Sequence, residues 1–268
     1  AKKMIDLASK AKVDAIKFQT FITDKLILKT TPKVKYQKIS YNDKEDFYDM
    51  IKKYELTKDD FKRLKKYCIK KGLIFLSTPF DNTSVEWLEE IGVPAFKIGS
   101  GDMNNFPLLK QICSKGKPIL LSTGMATLEE VKESVNYIIQ NGIKEIIIFQ
   151  CTTNYPALYE ELNLNVIDTY KREFPSFIIG YGAQVIEKHF ILTREDKGVD
   201  YQSSLDAQNF IEFIEIFREC EKSIGNKYIR DFTAAELNYR ANFKKLDVVI
   251  ICLINSISPE YRLKNLIK

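Results

Sequence analysis

The sequence predicts an α/β fold built on a buried parallel sheet. Strand-like and helix-like segments alternate through the middle of the chain, as in repeated βα units. The strand-like segments are continuous apolar runs, which is typical of strands that helices cover on both faces. The chain has 268 residues, enough for one α/β barrel of about 250 residues and little more. A barrel and a doubly wound sheet both fit this pattern.

The individual elements follow from local signals. A helical pattern over residues 4–11 precedes the first apolar run. Thr57 is a favourable N-cap, Asp59 and Asp60 suit the first turn of the helix that follows, and Gly72 ends that helix. The predicted strands cover residues 15–19, 73–78, 95–99, 118–122, 145–151, 177–180 and 184–190. The predicted later helices cover residues 57–71, 84–91, 107–114, 127–140, 165–172 and 206–223.

Two features of this pattern do not fit an intact barrel. The chain opens with a helix, so no strand precedes the first βα unit, and the seven predicted strands are one short of eight. In addition, only residues 181–183 separate the last two predicted strands. A parallel crossover needs roughly a dozen residues or more. Either these two strands pair as a hairpin, or a crossover helix has been lost.

Composition and charge exclude several classes of function. The net charge is +5, but the densest basic stretch, residues 62–71, lies on a helix that begins with acidic residues, which indicates a solvated face rather than a nucleic-acid surface. The five cysteines are widely spaced, as in reduced cytosolic proteins. The longest apolar run, residues 248–254, is too short to span a membrane. We therefore expect a cytoplasmic protein without nucleic-acid or membrane partners.

Polar residues follow most of the predicted strands, where the ligand sits in folds of this class. Lysines, hydroxyls and glycines dominate these strand ends, and all three can bind anions. The segments are 17–20, 77–81, 97–102, 122–125, 151–156 and 187–190. Lys17 and Lys97 lie inside apolar strands, and a buried lysine needs an anionic partner or must lose its proton. The sequence therefore predicts one shared anion-binding site.

His189 is the only histidine in the chain and lies beside Glu187 and Lys188 at a predicted strand end. Imidazole suits manganese, zinc or iron, but one histidine cannot form a metal site alone. Any other ligands would be carboxylates, waters or substrate. The absence of a glycine-rich GxGxxG after the first strand weakens a dinucleotide-binding interpretation.

Six motifs in this order resemble the sialic acid synthase (NeuB-type) family, which includes the legionaminic and pseudaminic acid synthases. They are AKVDAIKFQT at 11–20, FLSTPFD at 75–81, FKIGSGD at 96–102, ILLSTGM at 119–125, CTTNYP at 151–156 and IEKHF at 186–190. The resemblance covers about residues 1–245. It implies a (β/α)8 TIM barrel over residues 1–245, incomplete because the first strand and the crossover helix are missing. It also leaves residues 246–268 as a divergent tail.

The resemblance implies a role for each matching residue. Those that match contacts to the phosphate and carboxylate of phosphoenolpyruvate are Lys17, Thr78, Lys97, Ser100 and Ser122, with Thr153 at a further polar contact. Those that match contacts to the amino sugar are Tyr155 and Asp200, with Gln19 and Glu187 beside the same pocket. Asp102 matches a proton-handling acid, and His189 matches one of two ligands of a divalent metal, manganese or magnesium. The implied catalytic residues are Lys17, Lys97, Asp102 and His189.

The implied reaction condenses phosphoenolpyruvate with an open-chain amino sugar, either N-acetylmannosamine or a diacetamido hexose. The chain departs from the family pattern in three places. The first-strand motif EIGxNHxG, the SDHT segment with the second metal histidine, and the C-terminal antifreeze-like domain are all absent. Family members form homodimers through that domain, so its absence argues against a dimer.

Three alternatives to an active synthase stay open. The first is a truncated, catalytically inactive homologue, because a metal ligand and the first-strand glutamate are missing. The second is another phosphoenolpyruvate-dependent sugar-acid synthase. The third is a Schiff-base aldolase that uses Lys97, which requires a lysine desolvated enough to be neutral. The hydroxyls and glycines around Lys97 favour an anion pocket instead.

Overall fold

The computed structural model describes residues 1–31, 46–154, 156–180, 185–195, 200–224 and 234. The chain divides into two compact units, residues 1–220 and residues 221–268. The first unit contains all strands of the described residues and the candidate site described below. In the second unit, the described residues are only 221–224 and 234. The boundary expected at residue 245 lies outside the described residues.

The described part of the first unit alternates strands and helices. The strands are β1 Ala15–Thr20, β2 Ile74–Pro79, β3 Phe96–Ile98, β4 Ile119–Ser122, β5 Ile146–Phe149 and β6 Ile178–Gly180. The helices are α1 Lys2–Lys10, α2 Thr23–Leu26, α3 Phe47–Lys52, α4 Lys58–Lys70, α5 Asn82–Ile91, α6 Phe106–Cys113, α7 Leu128–Gln140, α8 Val166–Glu173 and α9 Ala207–Ile224. Single 3₁₀ turns cover Ser100–Asp102, Tyr159–Glu161 and Tyr201–Ser203. Of the described helices, none has both the length and the apolar character that crossing a bilayer requires.

The six described strands are parallel and follow one another in chain order. β1 pairs with β2, and β3, β4, β5 and β6 form a second sheet in that order. β2 lies alongside β3. A doubly wound sheet reverses its strand order at a switch point, and no reversal occurs among these strands. The α/β class with parallel strands is therefore confirmed. A closed barrel and the loss of a strand or crossover helix stay predictions.

Each strand has two faces that pack differently. On the helix-facing side, alternate residues join one large core that also takes in the helices. The β-strand members of this core include Phe96, Ile98, Ile119, Leu121, Ile146 and Ile148. On the inward side, a smaller cluster forms around Ala95, Leu120 and Phe149. Burial on both faces explains why the strands read as continuous apolar runs.

Helix boundaries follow the capping chemistry of the sequence. Thr57 and Asp60 form a capping box that begins α4, and Thr127 and Glu130 form another that begins α7. Gly92 ends α5 with φ +79°, a left-handed conformation that glycine adopts without steric penalty. The predicted counterparts of α1, α4 to α9 and β1 to β6 agree with the structure to within two residues at each end. The short helices α2 and α3 have no counterpart in the prediction.

The strand predicted over residues 184–190 is wrong for its described part, residues 185–190. Residues 185–189 have no regular secondary structure, and Phe190 forms an isolated parallel bridge with Leu205. Leu205 donates its N–H to the carbonyl of His189 at 3.0 Å and accepts from Ile191 at 2.8 Å. A strand needs a neighbour along its whole length, whereas Leu205 supplies one point of pairing. The hairpin alternative is not seen among the described residues either, because residues 185–189 form no strand that could pair with β6.

Candidate active site

Two lysines on different strands face one carboxylate. Lys17 lies on β1, Lys97 lies on β3, and Glu187 lies in the irregular segment after β6. Lys17 Nζ is 3.5 Å from Glu187 Oε1, and Lys97 Nζ is 3.5 Å from Glu187 Oε2. The side chain of Lys97 is 5% exposed, that of Lys17 is 19% exposed, and that of Glu187 is 32% exposed. The three charges therefore form a partly buried cluster.

Lys97 points to the inward side because strand residues alternate, and its neighbours Phe96 and Ile98 occupy the helix-facing core. Lys97 Nζ donates to Ser122 Oγ at 2.5 Å and to the carbonyl oxygen of Ile98 at 3.5 Å. It also lies 5.4 Å from the centre of the Phe149 ring, within cation–π range. Strand register places Lys97 opposite Leu120, two residues before Ser122 on the same face of β4.

Burial and charge act in opposite directions within this cluster. Burial lowers the pKa of Lys97 below its ordinary value, and the carboxylate of Glu187 opposes this change. Burial by itself would raise the pKa of Glu187, but the charges of Lys17 and Lys97 outweigh it, and the pKa is lowered. Glu187 is therefore ionised at neutral pH and serves as the counter-charge of both lysines.

A second group of polar atoms meets at Gly124, just beyond β4. Its backbone N–H donates to Ser100 Oγ at 3.0 Å, and Ser100 Oγ lies 3.8 Å from Cys151 Sγ. A methyl group at Gly124 would lie 2.9 Å from Ser100 Oγ and would overlap Thr153 Oγ1. The ends of β3, β4 and β5 therefore approach one another here because residue 124 has no side chain.

The buried hydroxyl of Thr123 ties these strand ends to α8. Thr123 Oγ1 donates to the carbonyl oxygen of Phe149 at 2.8 Å, and Tyr170 OH donates to Thr123 Oγ1 at 3.0 Å. Because buried polar groups are stable only when hydrogen-bonded, this chain holds β4, β5 and α8 in a fixed arrangement. Sequence reasoning did not assign roles to Thr123, Gly124 or Cys151. Their position within two residues of Ser122 or Thr153 was the available signal.

Thr78, Gln19 and Asp102 lie on the strands that carry or adjoin the lysines, or just beyond them, and are buried to different degrees. Thr78 is buried, pairs in register with Gln19, and lies near Gly99 at the end of β3. Gln19 is exposed. Asp102 lies in the 3₁₀ turn after β3, is partly buried, and accepts a hydrogen bond from Asn105 Nδ2 at 3.0 Å. Burial raises the pKa of Asp102 above its ordinary value, and the hydrogen bond from Asn105 opposes that change.

His189 faces Asp200, with 3.7 Å between Nδ1 and Oδ2. Burial lowers the pKa of His189, while the charge of Asp200 opposes that change. A neutral imidazole is the form that binds metals. Over the described residues, however, no group of three His, Cys, Asp or Glu side chains is placed to hold a metal ion. The described donors thus do not complete a metal site, and the metal stays a prediction.

The structure brings a subset of the predicted site residues into direct contact. Lys17, Lys97, Ser122 and Glu187 form one connected group, and Ser100 and Thr153 meet at Gly124. The pKa of His189 also responds to Lys17 and Glu187, which places it beside the first group. Tyr155 lies outside the described residues. The chemical roles expected for all these residues stay predictions.

A cavity of about 650 Å³ adjoins the polar atoms at Gly124. Its lining includes Cys151 and Thr153 from the end of β5, together with Thr123 and Tyr170. Neither Lys17 nor Lys97 lines it, so the cavity lies beside the lysine pair and not over it. Several hydroxyls, Glu161 and the Tyr170 ring line the cavity together with apolar side chains such as Met125 and Leu128, a mixed lining of the kind found in small-molecule sites.

Comparison with known proteins identifies close relatives. The family model described as "NeuB family" matches residues 4–228. The chain is 38% identical to N,N'-diacetyllegionaminic acid synthase of Campylobacter jejuni over 245 residues, covering 84% of this chain and 73% of the relative. It is 32% identical to human N-acetylneuraminate-9-phosphate synthase over 243 residues, covering 84% and 67%. The crystal structure of N-acetylneuraminic acid (sialic acid) synthetase from Leptospira borgpetersenii superposes with a TM-score of 0.76 at 27% identity, covering 90% and 86%.

Proposed function

Because the chain belongs to the NeuB family of nonulosonic acid synthases, we propose that it condenses phosphoenolpyruvate with an N-acetylmannosamine-type aldose. The products are a nonulosonic acid and inorganic phosphate. One observation carries this proposal: Lys17 and Lys97 converge at the strand ends on a single negatively charged group. Two ammonium groups held at one point are the arrangement that a dianionic substrate requires.

Phosphoenolpyruvate carries a phosphate and a carboxylate, and the site offers contacts for both. Lys17 and Lys97 supply charge, and the Ser122 hydroxyl already contacts Lys97. Ser100 and Thr153 add hydroxyls at Gly124, where the backbone can approach a phosphate closely. Fixed donors of this kind stabilise the negative charge that moves to the phosphate as its bond to carbon breaks.

The proposed reaction forms one carbon–carbon bond and replaces the carbon–oxygen bond to phosphate by a carbon–oxygen bond to the oxygen of water. The methylene carbon of phosphoenolpyruvate attacks the aldehyde carbon of the sugar, and the aldehyde oxygen takes up a proton to become a hydroxyl. A water oxygen adds to the resulting cationic carbon and gives up a proton. The tetrahedral intermediate then expels phosphate, and the added hydroxyl gives up its proton to the departing phosphate as it becomes the ketone oxygen. Asp102, whose pKa is raised by burial, is the candidate group for the proton transfers.

The amino sugar would lie next to the anion site, towards Asp200 and the cavity lined by Thr153. N-acetylmannosamine is our first choice of substrate. A diacetamido hexose is the second, and the activity named for the Campylobacter jejuni relative supports it. We also propose a divalent metal, manganese or magnesium, with His189 as one ligand. Such a metal would polarise the sugar aldehyde. A cytoplasmic location fits both substrates.

One observation favours a Schiff-base aldolase as the second candidate. Lys97 is 5% exposed and its pKa is lowered by burial, which increases the neutral, nucleophilic fraction of its amine. The contacts of Lys97 with Glu187 and Ser122 instead favour a charged lysine that binds an anion. The two candidates differ in whether a covalent bond forms at Lys97.

The decisive experiment is a calorimetric titration of the purified chain with phosphoenolpyruvate, followed by a product assay with N-acetylmannosamine. Binding to Lys97→Met should weaken by about a hundredfold, because truncating one partner of a buried charge pair typically has this effect. Lys117→Met is the matched control. Lys117 Nζ forms an ion pair with Glu89 Oε2 at 2.6 Å, and neither residue belongs to the site. Unchanged binding in Lys97→Met would refute the anion site.

The product assay separates the remaining alternatives. Release of phosphate together with a nonulosonic acid supports the synthase. Tight binding without product supports an inactive homologue. A covalent adduct at Lys97, trapped by borohydride from a carbonyl substrate, supports the aldolase.

A further inference from the structure

Glu187 occupies the space between the two lysines in a specific way. Each of its carboxylate oxygens faces a different ammonium group, Oε1 towards Lys17 and Oε2 towards Lys97, both at 3.5 Å. Among the described residues, no other carboxylate forms an ion pair with either lysine. A phosphate or carboxylate of a substrate has the same feature, two oxygens on one centre that can each face one cation.

An incoming anion and Glu187 cannot both take this position at low energy. Two negative groups a few ångströms apart repel each other, and the repulsion is stronger where the site is shielded from water. Glu187 is able to move aside. Residues 185–189 belong to no strand, so its displacement breaks no sheet hydrogen bond, and its side chain is already 32% exposed to solvent.

We propose that the Glu187 carboxylate is an internal anion that fills the substrate's position between Lys17 and Lys97, and that substrate binding expels it. This inference rests on the proposed function, because it assumes that the lysine pair is an anion site. It assigns Glu187 a role distinct from contact with the sugar: the residue competes with the substrate's anionic group.

The competition has a consequence for ligand selection. A monoanion such as chloride gains little from displacing a carboxylate that already satisfies both lysines. A ligand with two acidic groups replaces the contacts between Glu187 and the two lysines, and its second acidic group forms further contacts. Glu187 therefore lowers the affinity of the site for all anions. It lowers the affinity for monoanions more than that for dianionic ligands, and so favours the dianions.

Calorimetric titration with inorganic phosphate tests the inference directly, comparing the wild-type chain with Glu187→Gln. The variant keeps the size of the side chain but removes its charge. We expect phosphate to bind at least about fivefold more tightly, the effect of one unit charge at roughly 4 Å even in water. Equal or weaker binding by Glu187→Gln would overturn the proposal.

Glu86→Gln is the matched control for net charge. Glu86 pairs with Lys115 at 2.6 Å, outside the site, so phosphate affinity should stay at the wild-type value. If Glu86→Gln strengthens binding as much as Glu187→Gln does, the effect is general electrostatics and the proposal fails. Should Glu187→Gln not fold by circular dichroism, Glu187→Asp decides instead. Its shorter side chain cannot reach both lysines, so tighter binding supports the proposal and unchanged or weaker binding rejects it.

Failure of this inference can be told apart from failure of the proposed function. If the wild-type chain binds phosphate and Lys97→Met does not, the anion site stands, and the Glu187 variants alone judge the inference. If the wild-type chain and Lys97→Met bind phosphate equally, the anion site itself is refuted and the inference falls with it.

Discussion

The helix-facing and inward-facing sides of the strands are built from alternate residues of the same segments, yet they do different work. Helix-facing residues such as Phe96, Ile98 and Leu121 are almost fully buried and entirely apolar. On the inward side of β4, Leu120 is apolar, whereas Ser122, the next residue on that side, is polar. Adjacent residues of one strand therefore have different roles: one packs into the core, and the next points to the inward side, where the polar groups of the site lie.

The difference between the two sides explains how the fold accommodates the buried Lys97. Lys97 lies between Phe96 and Ile98, whose side chains carry the core, and its own side chain leaves that core for the inward side. There it finds a hydroxyl, a carboxylate and an aromatic face. The charge of Lys97 is tolerated on β3 because its partners come from other segments, Ser122 from the end of β4 and Glu187 from the irregular segment after β6.

The largest expected effect comes from substituting, one at a time, two adjacent residues of β3 whose side chains lie on opposite faces. Phe96→Ala should lower the free energy of unfolding by about 3–5 kcal/mol, because it leaves a cavity in the helix-facing core. Lys97→Met should change it by less than about 1.5 kcal/mol, since Glu187 keeps Lys17 and solvent as partners. Urea unfolding of both variants measures the contrast. Similar losses of stability in the two variants would remove the distinction between the faces.

A smaller effect is expected from filling the space between strand ends. Gly124→Ala should lower stability by about 1–3 kcal/mol and weaken phosphate binding, because the new methyl group pushes Ser100 and Thr153 apart. Gly101→Ala is the control, since nothing lies within 4 Å of a Cβ at that position. Thermal melts and phosphate titration report the two changes. A neutral Gly124→Ala would show that the close approach is not required.

Much of the fold could be predicted from the sequence, for a local reason. Strands buried on both faces, such as β3 and β4, produce apolar runs, and caps such as Thr57 and Thr127 mark helix starts. The same reasoning failed at residues 184–190, where an apolar run has a partner only at Leu205. Strand pairing depends on a neighbour elsewhere in the chain, which composition does not reveal.

The candidate site shows the same limit. Strand-end position predicted that Lys17, Lys97 and Ser122 would lie near one another, and they do. That Glu187 bridges the lysines could not be predicted, because residues 90 or more positions apart meet only after folding. The available signal was that Glu187 is the acidic residue in the motif that also holds the only histidine.

The last prediction concerns chemical reactivity and not stability. It compares cysteine thiols on the helix-facing side of the strands with one on the inward side. Cys68 and Cys113 lie in the helix-facing core, where burial raises the pKa of each thiol to about 11. Cys151 packs at the inward cluster and is partly exposed. At pH 8, iodoacetamide should modify Cys151 and leave the two core thiols intact, as read by peptide mass spectrometry. Equal modification of all three would mean that the core opens freely.

The order of the strands also bears on how such proteins diversify. Lys17, Thr78, Lys97, Ser122 and Thr153 each come from a different βα unit, and units adjacent in space are adjacent in the gene. Two crossovers between related genes, one on each side of a single βα unit, therefore exchange the site residue that this unit contributes and leave the other units in register. Recombination can try new substrates one segment at a time, while the pair of cations inherited from the first and third units stays in place.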